Sequence, residues 1–320
     1  MTDEVGRRLE IRPLQERDLD DADRVMRVAF GTFLNAPRPE QTFGDADLVR
    51  TRYRADPGAA FCAVLDGRLV GSNFATRWGS FGFFGPLTVS PELWDGGVAT
   101  RLMAPVMELF ERWSVRNAGL FTFPASPKHV ALYGKFGFWP QQLTPLMRTQ
   151  IPVAAERVAF ETFRAARREG AGAEALAQSR EVTDSIYNGL DLEREILAVD
   201  DQGLGETVLL REGGRVRGFA VRHLDAGSEA GSEACYVKFA AVASDAGAAE
   251  RFERLVAACE SLAGERRATS LIAGVNTARR GAYRALLGRG YRATINGLAM
   301  LRPDDPAYNR PDAYVIDDLR

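Results

Sequence analysis

The sequence predicts a mixed α/β (α+β) chain built as two similar units, each a mostly antiparallel sheet with helices on both faces. Three observations carry this. Apolar residues repeat at helical spacing over residues 17–31, where Leu19, Ala22, Val25, Met26 and Ala29 share one face. Asp66-Gly67 separates two apolar runs, 61–65 and 68–78, a pattern that suits a tight hairpin turn. Features of the first half then recur roughly 150 residues later. RVRG (215–218) after Gly213-Gly214 echoes RLVG (68–71) after Asp66-Gly67. Gly247 opens a helix as Gly97 does, and Gly290-Tyr291 follows a helix as Gly137-Phe138 does.

Each element of the first half has a local reason. Residues 8–14 read as a strand and 17–31 as the first helix. Two prolines in Leu34–Thr42 stop that helix, because proline cannot continue the hydrogen-bond ladder. Residues 45–55 read as a second helix. The hairpin follows, and then a third strand running from Gly79-Ser80 to about Val89. The glycine turn Asp95-Gly96-Gly97 opens a long amphipathic helix ending near Arg116. Residues 119–124 (GLFTFP) form a buried strand. Residues 126–136 form a helix with Pro127 at its tolerated early position, and one or two strands lead to Gln150. The expected division is 1–150, 151–302 and a tail 303–320 with a strand-like run Tyr314-Val315-Ile316. Gly227–Ser232 reads as a hairpin tip.

Composition narrows the function. With 320 residues, 46% hydrophobic and 26% charged, the chain has the balance of a globular protein with a core in each half. A net charge of -2 supplies no basic field, which argues against a nucleic-acid partner. The apolar runs are short and broken, so no membrane span is expected. The charged N-terminus lacks an apolar signal core, and the three cysteines have no paired spacing, so a cytoplasmic location is expected. Two histidines exclude a His-rich metal site, so no metal is expected. No G-x-S-x-G elbow and no phosphate loop of the GxxxxGK type occurs.

The chemistry concentrates between Phe83 and Phe138. A strand (FFGPLTVSP) enters a turn (ELWDGGVAT) that opens a helix (RLMAPVMELFERW). Glycines at 96 and 97 let a ligand approach the backbone, and the amides at a new helix N-terminus suit a diphosphate. An antiparallel hairpin precedes this turn, unlike a dinucleotide fold, and the run LYGKFGF (132–138) follows. That combination resembles the GNAT family of acetyl-CoA-dependent N-acyltransferases. The family turn Q/R-x-x-G-x-G/A is matched by Gly97 and Ala99, with Trp94 in the Q/R slot. Tyr133-Gly134-Lys135-Phe136-Gly137-Phe138 is similar to the family's Y-x-K-L-G-F, and Ser126 stands where that motif often has Asn. The resemblance covers residues 8–150 well and 155–302 as an eroded copy, so it implies two tandem GNAT-like domains.

The resemblance implies these roles. Leu87, Thr88 and Val89 present strand backbone to the pantetheine amides, at a splay between neighbouring parallel strands. Main-chain amides of Trp94, Asp95, Gly96, Gly97, Val98, Ala99 and Thr100, with Ser126 beyond, hold the cofactor, acetyl-CoA or another acyl-CoA. Tyr133 donates a proton to the leaving thiolate after direct attack by an amine; a phenol stays protonated at neutral pH. The acceptor, a small-molecule or protein amine, meets a pocket of Phe33, Glu40, Trp78, Phe81 and Phe83, with an ordinary core as the competing reading of the aromatic residues. Glu40 is a candidate base beside a water chain or an amine arriving neutral. In some tandem members resembling the enhanced-intracellular-survival acetyltransferases the chain terminus reaches the active site, so Asp317, Asp318 or the Arg320 carboxylate is another candidate, against an edge strand tying the halves together. The second copy, with one glycine in Ser244–Ala249 and Leu286 in the tyrosine slot, reads as a scaffold shaping the acceptor cleft. The chain is expected as a monomer or homodimer. The alternative function is a non-catalytic acyl-CoA sensor or scaffold.

Overall fold

The computed structural model describes residues 9–151 and 158–320. The first half contains β1 (Leu9–Pro13), α1 (Leu19–Phe33), α2 (Leu48–Ala55), β2 (Ala60–Leu65), β3 (Arg68–Trp78), β4 (Phe81–Phe84), β5 (Thr88–Val89), α3 (Val98–Arg112), β6 (Asn117–Thr122), α4 (Pro127–Gly134) and β7 (Trp139–Gln150). The second contains β8 (Glu161–Thr162), α5 (Phe163–Arg168), α6 (Gly172–Ile186), α7 (Glu193–Gln202), β9 (Gly205–Glu212), β10 (Arg215–Asp225), β11 (Gly231–Val242), α8 (Ala248–Glu265), β12 (Ser270–Gly274), α9 (Arg280–Gly288) and β13 (Arg292–Arg302). The tail adds β14 (Val315–Ile316). The expected hairpin turn is present, with φ of 50° at Asp66 and 79° at Gly67. The expected third strand is not continuous to Val89. It breaks at Gly85-Pro86, where proline has no N–H for a ladder.

Helices cover both faces of the sheet. In the first half α3 packs on Phe61 and Ala63 of β2, while α1 and α2 pack on Ala60, Cys62 and Val64 of the same strand. The period-2 alternation of a strand thus feeds two cores, because both faces are covered. In the second half α8 lies on one face and α5, α6 and α7 lie on the other.

All described strands join one sheet in the order β1-β2-β3-β4-β6-β13-β7-β12-β11-β10-β9-β8, with β5 on β3 and β14 on β11. The order in the middle is an exchange. The last strand of the second half, β13, pairs with β6 (Leu298↔Thr122 to Arg302↔Ala118), and the last strand of the first half, β7, pairs with β12. Residue 150 is therefore the end of a strand inside the shared sheet. Each half completes the other's hydrogen-bond ladder.

Candidate active site

The site forms where two parallel neighbours part. β4 runs beside β6 over Phe81–Phe83 and Asn117–Gly119. After Gly85-Pro86 the chain resumes as β5, now paired with β3 (Ser72↔Thr88, Gly71↔Val89). β5 thus leaves β6, and a cavity of about 230 Å³ fills the opening. Leu87, Thr88 and Val89 line one wall and Phe121, Thr122 and Phe123 the other. The Ser90 amide donates to the Val70 carbonyl at 2.8 Å, which turns the main-chain groups of Thr88 and Ser90 toward β3. Alternation along the strand then turns those of Leu87 and Val89 toward the cavity. The Val89 carbonyl accepts the Trp94 indole N–H at 2.8 Å. The residue that departs from the expected Q/R slot therefore folds back onto the strand edge.

The glycine turn lies at the cavity's end, with Trp94 and Ala99 among the lining. Gly97 has φ of 80°, and a side chain there would meet no protein atom within 4 Å. α3 starts at the next residue without a side-chain cap. Its first-turn amides and the positive end of its dipole make an anion site. Asp95, with φ of 65°, carries a like charge beside that site, and Lys128 neutralises it through an ion pair of 2.5 Å. Val98 is buried; Asp95, Gly96, Gly97 and Thr100 lie outside the cavity lining, as does Ser126 at the start of α4.

Tyr133 lines the cavity from α4 and is 8% exposed. Its ring packs edge-on against Phe84 at 5.6 Å. No hydrogen-bond partner for its hydroxyl occurs among the described residues, and burial pushes its pKa above the ordinary 10.0. The phenol carries its proton at neutral pH, and nothing among the described residues takes that proton. His129, one turn earlier on α4, lines the same cavity and stacks on Phe33 at 5.1 Å between ring centres.

The far wall comes from both halves. Phe30, Phe33 and Phe43 face Leu146 of β7, Ile295 of β13, and Leu319 and Arg320 of the tail. Arg52 ties these parts together. It donates to Glu229 at 2.9 and 3.0 Å, to the main-chain oxygen of Arg320 at 2.6 Å, and to the Gly85 carbonyl. Burial alone would raise the Glu229 carboxyl, but Arg52 and Lys238 outweigh it and hold the group well below its ordinary range.

Several expected residues stand elsewhere. Trp78, Phe81 and Phe83 are 1%, 1% and 0% exposed and pack in the core joining the halves, with Phe239 and Tyr308. The ordinary-core reading is the observed one, since the end of β3 and β4 turn these rings to the face covered by α5, α6 and α7. Glu40 is exposed and outside the cavity lining. Asp317 pairs with Arg279 at 2.7 Å, and Asp318 accepts from Tyr236 at 2.9 Å; neither lines the cavity. Sequence reasoning did not assign Arg52, His129, Phe121 and Phe123 to the site. The alternation of Phe121 and Phe123 on a strand and the one-turn spacing of His129 and Tyr133 were the available signals.

The second half closes the equivalent features. β11 and β12 are parallel over Ala234–Val237 and Ser270–Ala273, but β14 fills the opening beyond by pairing with Ala240 and Ala241. Asp245 accepts the Gly247 amide at 2.8 Å, and Arg251 bonds the Ala243 carbonyl and Asp245, each at 3.1 Å. Here the chain's own groups occupy both the strand edge and the turn.

A mixed sheet that opens between two strands beside a glycine turn and a new helix, present once open and once closed, defines a tandem GNAT-like fold. Residues 25–138 match the acetyltransferase (GNAT) family model. The sequence matches no curated protein. A structure from Pyrococcus horikoshii is similar over 98% of this chain and 95% of its own, with 16% identity and a TM-score of 0.69. A GCN5-related N-acetyltransferase from Sphaerobacter thermophilus covers 92% of this chain and 95% of its own, with 16% identity and a TM-score of 0.58. Another from Kribbella flavida covers 92% and 70%, with 18% identity and a TM-score of 0.51. At these identities the likeness is one of fold, and it extends over both halves. No helix among the described residues is long and apolar enough to cross a membrane.

Proposed function

We infer that the chain is an N-acyltransferase that moves an acetyl or short acyl group from acyl-CoA to a primary amine, with Tyr133 as general acid. The observation that carries this reading is the open β5–β6 splay with the unpaired Tyr133 hydroxyl on its wall. The Leu87 main-chain groups and the Val89 amide are available to pantetheine, the Val89 carbonyl being held by the Trp94 indole, and the uncapped start of α3 suits the diphosphate. The chain supplies positioning, an amide to polarise the thioester carbonyl, and the acid. The first half, 1–150, holds the catalytic residues. The second, 151–302, with the tail 303–320, acts as scaffold and contributes Ile295, Leu319 and Arg320 to the acceptor wall. One acyl-CoA binds per chain, since β14 fills the second splay.

The acceptor that fits is an amine on an apolar or aromatic body. Among the described residues no Asp or Glu lines the cavity, and the wall is largely Phe and Leu. A polycation would find no counter-charge there. The test is thiol release from acetyl-CoA over a panel of apolar and polycationic amines, with Tyr133→Phe as control. Turnover confined to apolar amines and lost in the variant supports the reading. A second reading, an acyl-CoA sensor, draws on the Trp94 indole that takes up the Val89 carbonyl. Acetyl-CoA binding with no turnover on any amine would favour it.

A further inference from the structure

We propose that His129 is the proton acceptor for the incoming amine, a catalytic role that rests on the acyltransferase reading. The argument starts from what the cavity lacks. An amine arrives largely as an ammonium ion and must lose a proton before its nitrogen can attack. No Asp or Glu lines the cavity among the described residues, and the Arg320 carboxylate there is engaged by the Arg52 guanidinium at 2.6 Å. Its titratable side chains are Tyr133 and His129 on α4, Arg52 on α2 and Arg320 on the tail. The Tyr133 phenol already carries its proton, and a guanidinium does not accept one. That leaves the imidazole.

The position suits the task. His129 and Tyr133 are four residues apart on one helix, so they share a face, roughly 5–6 Å apart at their Cβ atoms. The acid and the base thus flank one point on the wall. The Phe33 ring lies against the imidazole and Phe33 in turn against Phe123 at 4.9 Å, so an apolar amine slides in along the same aromatic surface. The charged groups facing His129 favour its neutral form. Burial lowers its pKa below 6.5, and Lys128 adds to this. Arg52 and Arg320 across the cavity are ion-paired with Glu229 and Asp318. From α1, β6 and β13 only apolar side chains and Thr122 line the space. The imidazole is therefore unprotonated at neutral pH and ready to accept.

The protons balance as follows. His129 takes one proton from the ammonium, and the freed nitrogen pair bonds to the thioester carbon. The C–S bond breaks, and the thiolate takes the Tyr133 proton. The nitrogen, now an amide, returns its surplus proton to the Tyr133 oxygen. The imidazolium gives its proton to solvent, so one proton leaves per turnover.

Two measurements test this. The chain has only two histidines, so an NMR titration of the imidazoles is assigned by comparing wild type with His129→Gln. The His129 signal should titrate below 6.5 and shift when 2-phenylethylamine is added to the CoA-bound protein. Titration above 6.5, or no shift, overturns the proposal. In steady-state kinetics His129→Gln should lower kcat for 2-phenylethylamine by about 10²–10⁴-fold. CoA affinity by calorimetry should be unchanged, which also shows that the variant folds. Aniline, neutral at pH 7, should lose far less. Equal loss on both amines, or none on either, sinks the base role while leaving the enzyme reading intact. A wild type that releases no thiol with any amine sinks the enzyme reading and this one with it.

Discussion

Replacing Tyr133 with Phe removes one oxygen and leaves the ring. The ring's packing on Phe84 and within the first core persists. The lost hydroxyl has no partner among the described residues, so no buried group there is orphaned, and stability at neutral pH should change by no more than about 0.5 kcal/mol. Catalysis should respond differently. Loss of a positioned general acid costs about 10²–10⁴ in rate, which is about 3–5 kcal/mol of barrier. Alkaline pH adds an independent mark. Burial raises the folded pKa of Tyr133 above the 10.0 of the unfolded chain. Its stabilising contribution is complete below pH 10 and is lost as pH rises toward the folded value, because only the unfolded state then releases the proton. The Phe variant lacks that loss and should melt less steeply with pH above 10. Single-turnover thiol release at pH 7, with melting curves at neutral and alkaline pH, measures all three. A variant that turns over within about twofold of wild type would refute the acid assignment. A variant whose melting temperature and acetyl-CoA affinity fall together would show that Tyr133 is a packing residue.

Deleting Asp312–Arg320 removes the buried side chains of Val315, Ile316 and Leu319. At about 1.5–3 kcal/mol each, this approaches the whole stability of a domain, so the truncated chain should show no cooperative melt. A normal melt with lost turnover would instead mark the tail as catalytic. Trp94→Phe should abolish the change in tryptophan emission on adding acetyl-CoA, since its indole bonds the strand edge that the pantetheine would use; an unaltered change would place the cofactor elsewhere. Burial, aided by Lys238, Arg52 and Arg320, lowers the His223 pKa to about 3 from an ordinary 6.5. Its contribution is present above pH 6.5 and lost as pH falls toward 3, because only the unfolded chain takes up the proton. His223→Gln should flatten denaturation midpoints across that range, and an unchanged acid slope would contradict the assignment.

The sequence by itself determined what neighbouring residues decide. Asp66-Gly67 makes its turn because two consecutive residues take positive φ there, and the spacing of Leu19, Ala22, Val25 and Met26 makes one helical face. The turn at Gly97 and the phenol at 133 belong to one contiguous stretch, and their motif could be read there. Only the tertiary structure decided which face of β4 meets which core. Trp78, Phe81 and Phe83 read equally as pocket or core until α5, α6 and α7 cover them. It also decided the exchange of β7 and β13, since those strands pair with partners 120 to 184 residues away in the chain, which no local pattern encodes. The cavity inherits that nonlocality. Its Tyr133 hydroxyl stands on one helix, its far wall includes β13 and the tail, and the second splay is closed by β14.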